Sequence, residues 1–158
     1  MACGLVAAEG ELIAEAEGVP GFIGCLSYAA QEILGKFGAE RMRPGDVYAT
    51  NDPYRGGGTH LSDVVLVSPL LFQGELVGFA ANKAHWTDVG GMAAGSWTTD
   101  STEIFQEGLQ LPGIQICCAG EPVASIIDLI RANSRLPDMT LGDFYAGVAS
   151  LRAGERGV

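Results

Sequence analysis

Basic side chains are scarce in this 158-residue chain. Lysine and arginine number nine against nineteen aspartates and glutamates, and the formal net charge is −10. Without a basic stripe, a nucleic-acid-binding face is excluded. No apolar run approaches the roughly 20 residues of a membrane-spanning helix. The opening stretch, MACGLVAAEGELIAEAEG, carries glutamates early and no basic region, so it does not read as a secretory signal. Four cysteines occur (Cys3, Cys25, Cys117 and Cys118), with no C-x-x-C pair. The expectation is reduced, mostly buried thiols in a cytoplasmic protein. Two catalytic signatures are also missing. There is no G-x-x-x-x-G-K-[ST] loop to cradle a nucleotide phosphate, and neither Ser62 nor Ser96 sits in a G-x-S-x-G elbow.

What is present describes a folded domain. Hydrophobic residues make up 47 % and charged residues 18 %, a balance that excludes wholesale disorder. The length suits one domain over 1–158 with a single core. Residues 4–7 and 11–16 flank AEGE and predict a short hairpin. GVPGFIG, 18–24, reads as a loop. LSYAAQEILGKF, from Leu26 to Phe37, has helical apolar spacing, with Gly38 as its stop. DVYAT enters a short strand. DVVLVSPLLF, then QG, then ELVGFAAN predict a longer hairpin over 63–82, with runs apolar enough to be covered on both faces. Residues 84–103 form a glycine-rich loop, 114–118 a strand, and 124–134 and 141–154 helices. The fold class is therefore α+β, with a mixed or largely antiparallel sheet and about three helices.

Histidine occurs only twice, and both copies stand in the same setting. GGGTHLSD gives His60 and Asp63; AHWTDVGG gives His85 and Asp88. With 19 acids in 158 residues, chance supplies an acid at a fixed offset about 12 % of the time, and twice running about 1.5 %. The pairing therefore carries information. Imidazole and carboxylate form the usual ligand set for divalent Zn, Mn or Fe, and a catalytic site keeps one position open. The hairpin's outer ends bring the two motifs together through antiparallel pairing. Asp52, in NDP, points to an Asx-turn. Glu103 and Glu107 offer a supporting acid or a solvated face. Lys83 offers a contact for a substrate anion. Trp86 and Trp97 offer packing or a pocket wall.

The string NDPYRGGGTHLSDV, followed by GELVGFAANKAHWTDVGG, GS and STEIFQEGLQLPGIQI, closely resembles the hydantoinase B/oxoprolinase family. The similarity runs from about residue 4 to 152 and is strongest over 44–116. The resemblance implies the metal-bearing component of an ATP-dependent hydrolase of cyclic amides, hydantoins or 5-oxoproline. A hydantoinase A-type subunit would bind the ATP, in a hetero-oligomer. It places the metal ligands on His60, Asp63 and His85, gives His85 a part in catalysis, and leaves Asp88 as a further ligand or an orienting catalytic carboxylate. Two other readings stay open: an acetone or acetophenone carboxylase-type subunit, and a non-catalytic truncated paralogue serving in assembly. Two departures favour the last. Phe22 stands where family members usually carry a histidine, and family chains are several times longer.

Overall fold

The computed structural model describes residues 1–16 and 18–157. A seven-stranded antiparallel sheet forms its centre, in the order β2-β1-β5-β4-β3-β6-β7. The strands are β1 (Ala2–Ala7), β2 (Leu12–Glu15), β3 (Val47–Thr50), β4 (Asp63–Phe72), β5 (Glu75–His85), β6 (Ile114–Cys118) and β7 (Glu121–Pro122). Around them lie a one-turn helix α1 (Pro20–Ile23), then α2 (Leu26–Phe37), α3 (Ala124–Asn133) and α4 (Pro137–Glu155). The α+β class with an antiparallel sheet is thus observed. Among the described residues no helix is long and apolar enough to cross a membrane.

The β4–β5 hairpin organises everything else. Gln73 and Gly74 both have positive φ, 52° and 86°, the twist that a tight two-residue connection needs to match right-handed strands. Residues 63–70 of β4 are buried without interruption, because both faces are covered. Val65 and Val67 pack with Phe79 and Ala81 against Leu26, Ala29, Ala30 and Ile33 of α2. Val64 and Leu66 pack with Ala80 against Phe144, Val148 and Leu151 of α4. The buried α2 positions follow the 3- and 4-residue steps of one helical face. α4 approaches β5 closely enough for Asn82 Nδ2 to donate to the Gly147 carbonyl at 2.8 Å.

Several boundaries differ from the sequence expectation. β5 continues to His85 instead of ending near 82, which makes His85 the cross-strand partner of Asp63. The GVPGFIG stretch contains α1, since Pro20 at a helix's first turn loses no hydrogen bond there. For the same reason α4 begins at Pro137, four residues early. Among the thiols only Cys117 is buried, and burial pushes it up to about 11. Cys118 is exposed, and Cys3 and Cys25 are partly so.

Candidate metal centre

The outer end of the hairpin carries the site. Because Asp63 and His85 are directly opposed on β4 and β5, their side chains share one face of the sheet, the α2 face. His60 reaches the same point from the segment preceding β4, where the Asp63 amide closes a turn on the His60 carbonyl at 2.9 Å. One carboxylate oxygen is the centre of the group. Asp63 Oδ1 lies 3.3 Å from His60 Nε2 and 3.2 Å from His85 Nδ1. The two ring centroids are 5.0 Å apart. The three candidate ligand atoms all fall within 4.8 Å of one another.

That arrangement fits a divalent ion. Two donors bound to one tetrahedral ion at ordinary bond lengths lie about 3.4 Å apart, close to the two carboxylate-to-imidazole separations of 3.3 and 3.2 Å. The donor set, two imidazoles and one carboxylate, suits Zn, Mn or Fe. Burial holds the His60 imidazolium down, below the usual histidine range. Asp63 opposes that shift, His85 and Lys83 add to it, and Glu107 works against it. His60 is therefore in the neutral, ligating form at neutral pH. His85 is partly exposed and Asp63 is buried, so the cluster has one open side.

A tryptophan and an acid stand beside that opening. Trp97, from the segment linking β5 to β6, sets its ring edge-on to His60 at 4.8 Å between centroids and to His85 at 6.3 Å. It remains 64 % exposed. Glu107 Oε2 accepts from the Leu61 amide at 3.4 Å. It also lines a cleft of about 300 Å³ with Pro53, Tyr54, Thr59, Glu103 and Ile104.

The structure does not bring Asp88 to this cluster. Its carboxylate is fully buried and already has partners: the amides of Gly90 (3.0 Å), Gly95 (2.9 Å) and Arg135 (3.1 Å), and the Arg135 guanidinium at 3.2 Å. Burial works to raise its pKa, but these hydrogen bonds outweigh it and hold Asp88 below its ordinary value. Arg135 goes on to the carbonyls of Gly91 and Ala93, and Thr140 Oγ1 donates to the Asp88 carbonyl at 2.9 Å. Asp88 is thus the staple that fastens the glycine-rich segment to the α3–α4 junction. The second His-x-x-Asp motif divides its labour between a site histidine and a structural aspartate. No local signal announced Arg135, which lies 47 residues from Asp88.

The other candidates fall out as follows. Asp52 makes the expected Asx-turn, with the Tyr54 amide donating to its Oδ1 at 2.8 Å. Glu103 caps the 3₁₀ turn Ile104–Gln106. Trp86 packs on Phe144 in the core. Ser62 and Ser96 hold loop carbonyls. Lys83 is wholly buried, with no face toward a substrate. The triple glycine permits close backbone packing. Gly56 and Gly58 amides both donate to the Asp52 carbonyl. A Cβ on Gly57 would meet the Cys25 carbonyl at 2.4 Å.

An α+β domain with a His-His-Asp cluster at the open end of its central hairpin is a defined class, and comparison with known proteins names the family. The profile of the hydantoinase B/oxoprolinase family matches residues 1–158. The chain belongs to that family. It is 33 % identical over 146 residues to the caprolactamase subunit beta of Pseudomonas jessenii, covering 92 % of this chain and 25 % of the relative. It is 37 % identical over 154 residues to an uncharacterised protein of Methanocaldococcus jannaschii, covering 96 % and 27 %. The crystal structure of the ATP-dependent caprolactamase from P. jessenii superposes with a TM-score of 0.89 at 32 % identity, over 98 % of this chain and 26 % of that one. Nucleotide-free acetone carboxylase shares the fold, with a TM-score of 0.87 at 19 % identity over 96 % of this chain and 20 % of that one. The chain spans about a quarter of the length of these relatives.

Proposed function

We propose that this chain is the metal-binding component of an ATP-dependent hydrolase of small cyclic amides, of the hydantoin or 5-oxoproline type. The observation that carries the reading is the convergence of His60, Asp63 and His85 on one point beside a cleft. Kinship to a caprolactamase subunit supports the same chemistry and a separate partner. The partner is a hydantoinase A-type subunit that binds the ATP, in a hetero-oligomer.

His60, Asp63 and His85 hold a divalent Zn, Mn or Fe ion. When bound, the ion supplies Lewis acidity toward an amide carbonyl or a water molecule. The chain's own residues do the rest. Neutral His60 offers its nitrogen without first losing a proton at pH 7. The 300 Å³ cleft is large enough for a five-membered ring. Trp97 shields the imidazoles on one side. Asp88 acts through the loop it fastens, with no contact to substrate.

Elemental analysis of the purified chain tests the reading. Bound divalent metal near one equivalent, lost in His60→Ala and His85→Ala, is the expected result. ATP-dependent opening of hydantoin or 5-oxoproline when the A-type subunit is added completes it. A chain that takes up no metal, or that opens the ring alone without ATP, defeats it.

A further inference from the structure

Behind Asp63 lies a second set of contacts that ordinary ligand chemistry does not require. Thr59 Oγ1 hydrogen-bonds Asp63 Oδ2, the oxygen turned away from the imidazoles. Lys83 Nζ lies 3.2 Å from that same Thr59 hydroxyl. Lys83 also reaches the Gly57 carbonyl at 3.0 Å and Cys25 Sγ at 3.5 Å, and its Nζ sits 4.9 Å from the centre of the Phe22 ring. An ammonium has three N–H donors and no acceptor; here it meets three acceptors and an aromatic face. No carboxylate lies within ion-pair distance of Lys83 among the described residues.

The direction of the chain of bonds follows from chemistry alone. Lys83 can only donate, so Thr59 Oγ1 accepts from it. An ionised carboxylate can only accept, so the Thr59 hydrogen points at Asp63 Oδ2. A hydroxyl that accepts from a cation is also the stronger donor. The Asp63 carboxylate is therefore pinned by one oxygen, and Oδ1 alone faces His60 and His85. Lys83 stands two residues before His85 on β5, on the same face of the sheet and opposite Val65. One strand thus carries both an imidazole and the cation that orients the carboxylate opposite it.

We infer that Thr59 and Lys83 are positioning residues, which hold Asp63 as a one-oxygen ligand for the ion. The inference rests on the reading of the cluster as a metal site. Little in the sequence announces it: Thr59 is one more small residue after three glycines, and Lys83 reads as a contact for a substrate anion.

The test is titration of the purified chain with Zn²⁺ by calorimetry, and with Co²⁺ by visible absorption, which reports coordination geometry without turnover. Thr59→Val keeps the shape and removes the hydroxyl at an exposed position, and its melting curve checks that it is folded. It is expected to weaken Zn²⁺ binding roughly tenfold to a hundredfold and to alter the Co²⁺ spectrum. Thr59→Ser restores both. Lys83→Met separates positioning from simple charge. An ammonium repels a nearby cation, so on charge alone its loss tightens binding; loss of positioning weakens it. Weaker binding by folded Lys83→Met, checked by its melting curve, supports the inference, and tighter binding overturns the part assigned to Lys83. Wild-type affinity and spectrum in Thr59→Val overturn the inference while leaving the metal site intact. No uptake by the wild-type chain overturns the metal reading itself, and this inference with it.

Discussion

At the scale of single residues, the two acids of the His-x-x-Asp motifs meet different partners: Asp63 faces two imidazoles, and Asp88 faces the Arg135 guanidinium. His60, Asp63 and His85 were legible because histidine is rare here and both copies sit in one pattern. Asp88 shares that pattern and belongs elsewhere, since nothing local reveals that Arg135 arrives from 47 positions away to claim it. Its charge state makes a prediction. The folded pKa of Asp88 lies below the unfolded value. The stabilisation it provides is therefore complete above the unfolded value, about 3.9, and is lost as pH falls through the folded one. Thermal melts across about pH 2 to 7 are expected to show an acid-side loss of stability that is shallower in Asp88→Asn. Asp88→Ala, which leaves the amides of Gly90, Gly95 and Arg135 without their buried acceptor, is expected to cost about 1–3 kcal/mol in urea unfolding at neutral pH. It should leave the geometry of the distant ligands responsive to metal. Gly57 gives a second prediction. Its φ is +70°, and a Cβ there would strike the Cys25 carbonyl. Gly57→Ala is expected to lose about 2 kcal/mol or more. A neutral result would show that the turn has slack the packing does not suggest.

Among the elements, the long hairpin was the most readable, because two nearly continuous apolar runs around Q-G leave few alternatives. Its covering was readable too: strands apolar on both faces require layers on both sides, and α2 and α4 supply them. Where β5 ends was not readable. Ala84 and His85 carry no strand signal of their own, and pairing with Val64 and Asp63 decides the matter. That extension turns a loop histidine into a strand histidine and so aims it at Asp63. The hairpin turn offers a test by stabilisation. Gln73 holds φ at +52°, a region asparagine tolerates better than glutamine. Gln73→Asn is expected to raise stability by about 0.5 kcal/mol, read as a higher urea midpoint with unchanged slope. Leu66 lies at the other extreme, fully buried between the sheet and α4 near Gly147. Leu66→Ala is expected to cost about 2–5 kcal/mol.

For the whole molecule, the cluster adds a tie at a point where strand pairing and turn hydrogen bonds already bring three segments together. His60 belongs to the segment before β4, Asp63 opens β4, and His85 closes β5. An ion bound by all three would tie the mouth of the hairpin to the segment before β4, and binding only the native arrangement it would stabilise the fold by mass action. Free metal at a hundred times its dissociation constant contributes about 2.7 kcal/mol. For a domain near this size each kcal/mol moves the melting temperature by about 2–4 °C. Added Zn²⁺ is therefore expected to raise the Tm of the wild-type chain by about 5–10 °C, and to leave His60→Ala and His85→Ala where they were. Asp63→Asn keeps the shape and most of the hydrogen bonding while removing the charge, so it separates ion binding from packing. If its Tm without metal matches the wild type and its response to Zn²⁺ disappears, the carboxylate serves the ion. If wild type and all three variants shift together, the metal acts on the surface at large, and the convergence at the end of the hairpin has some other purpose.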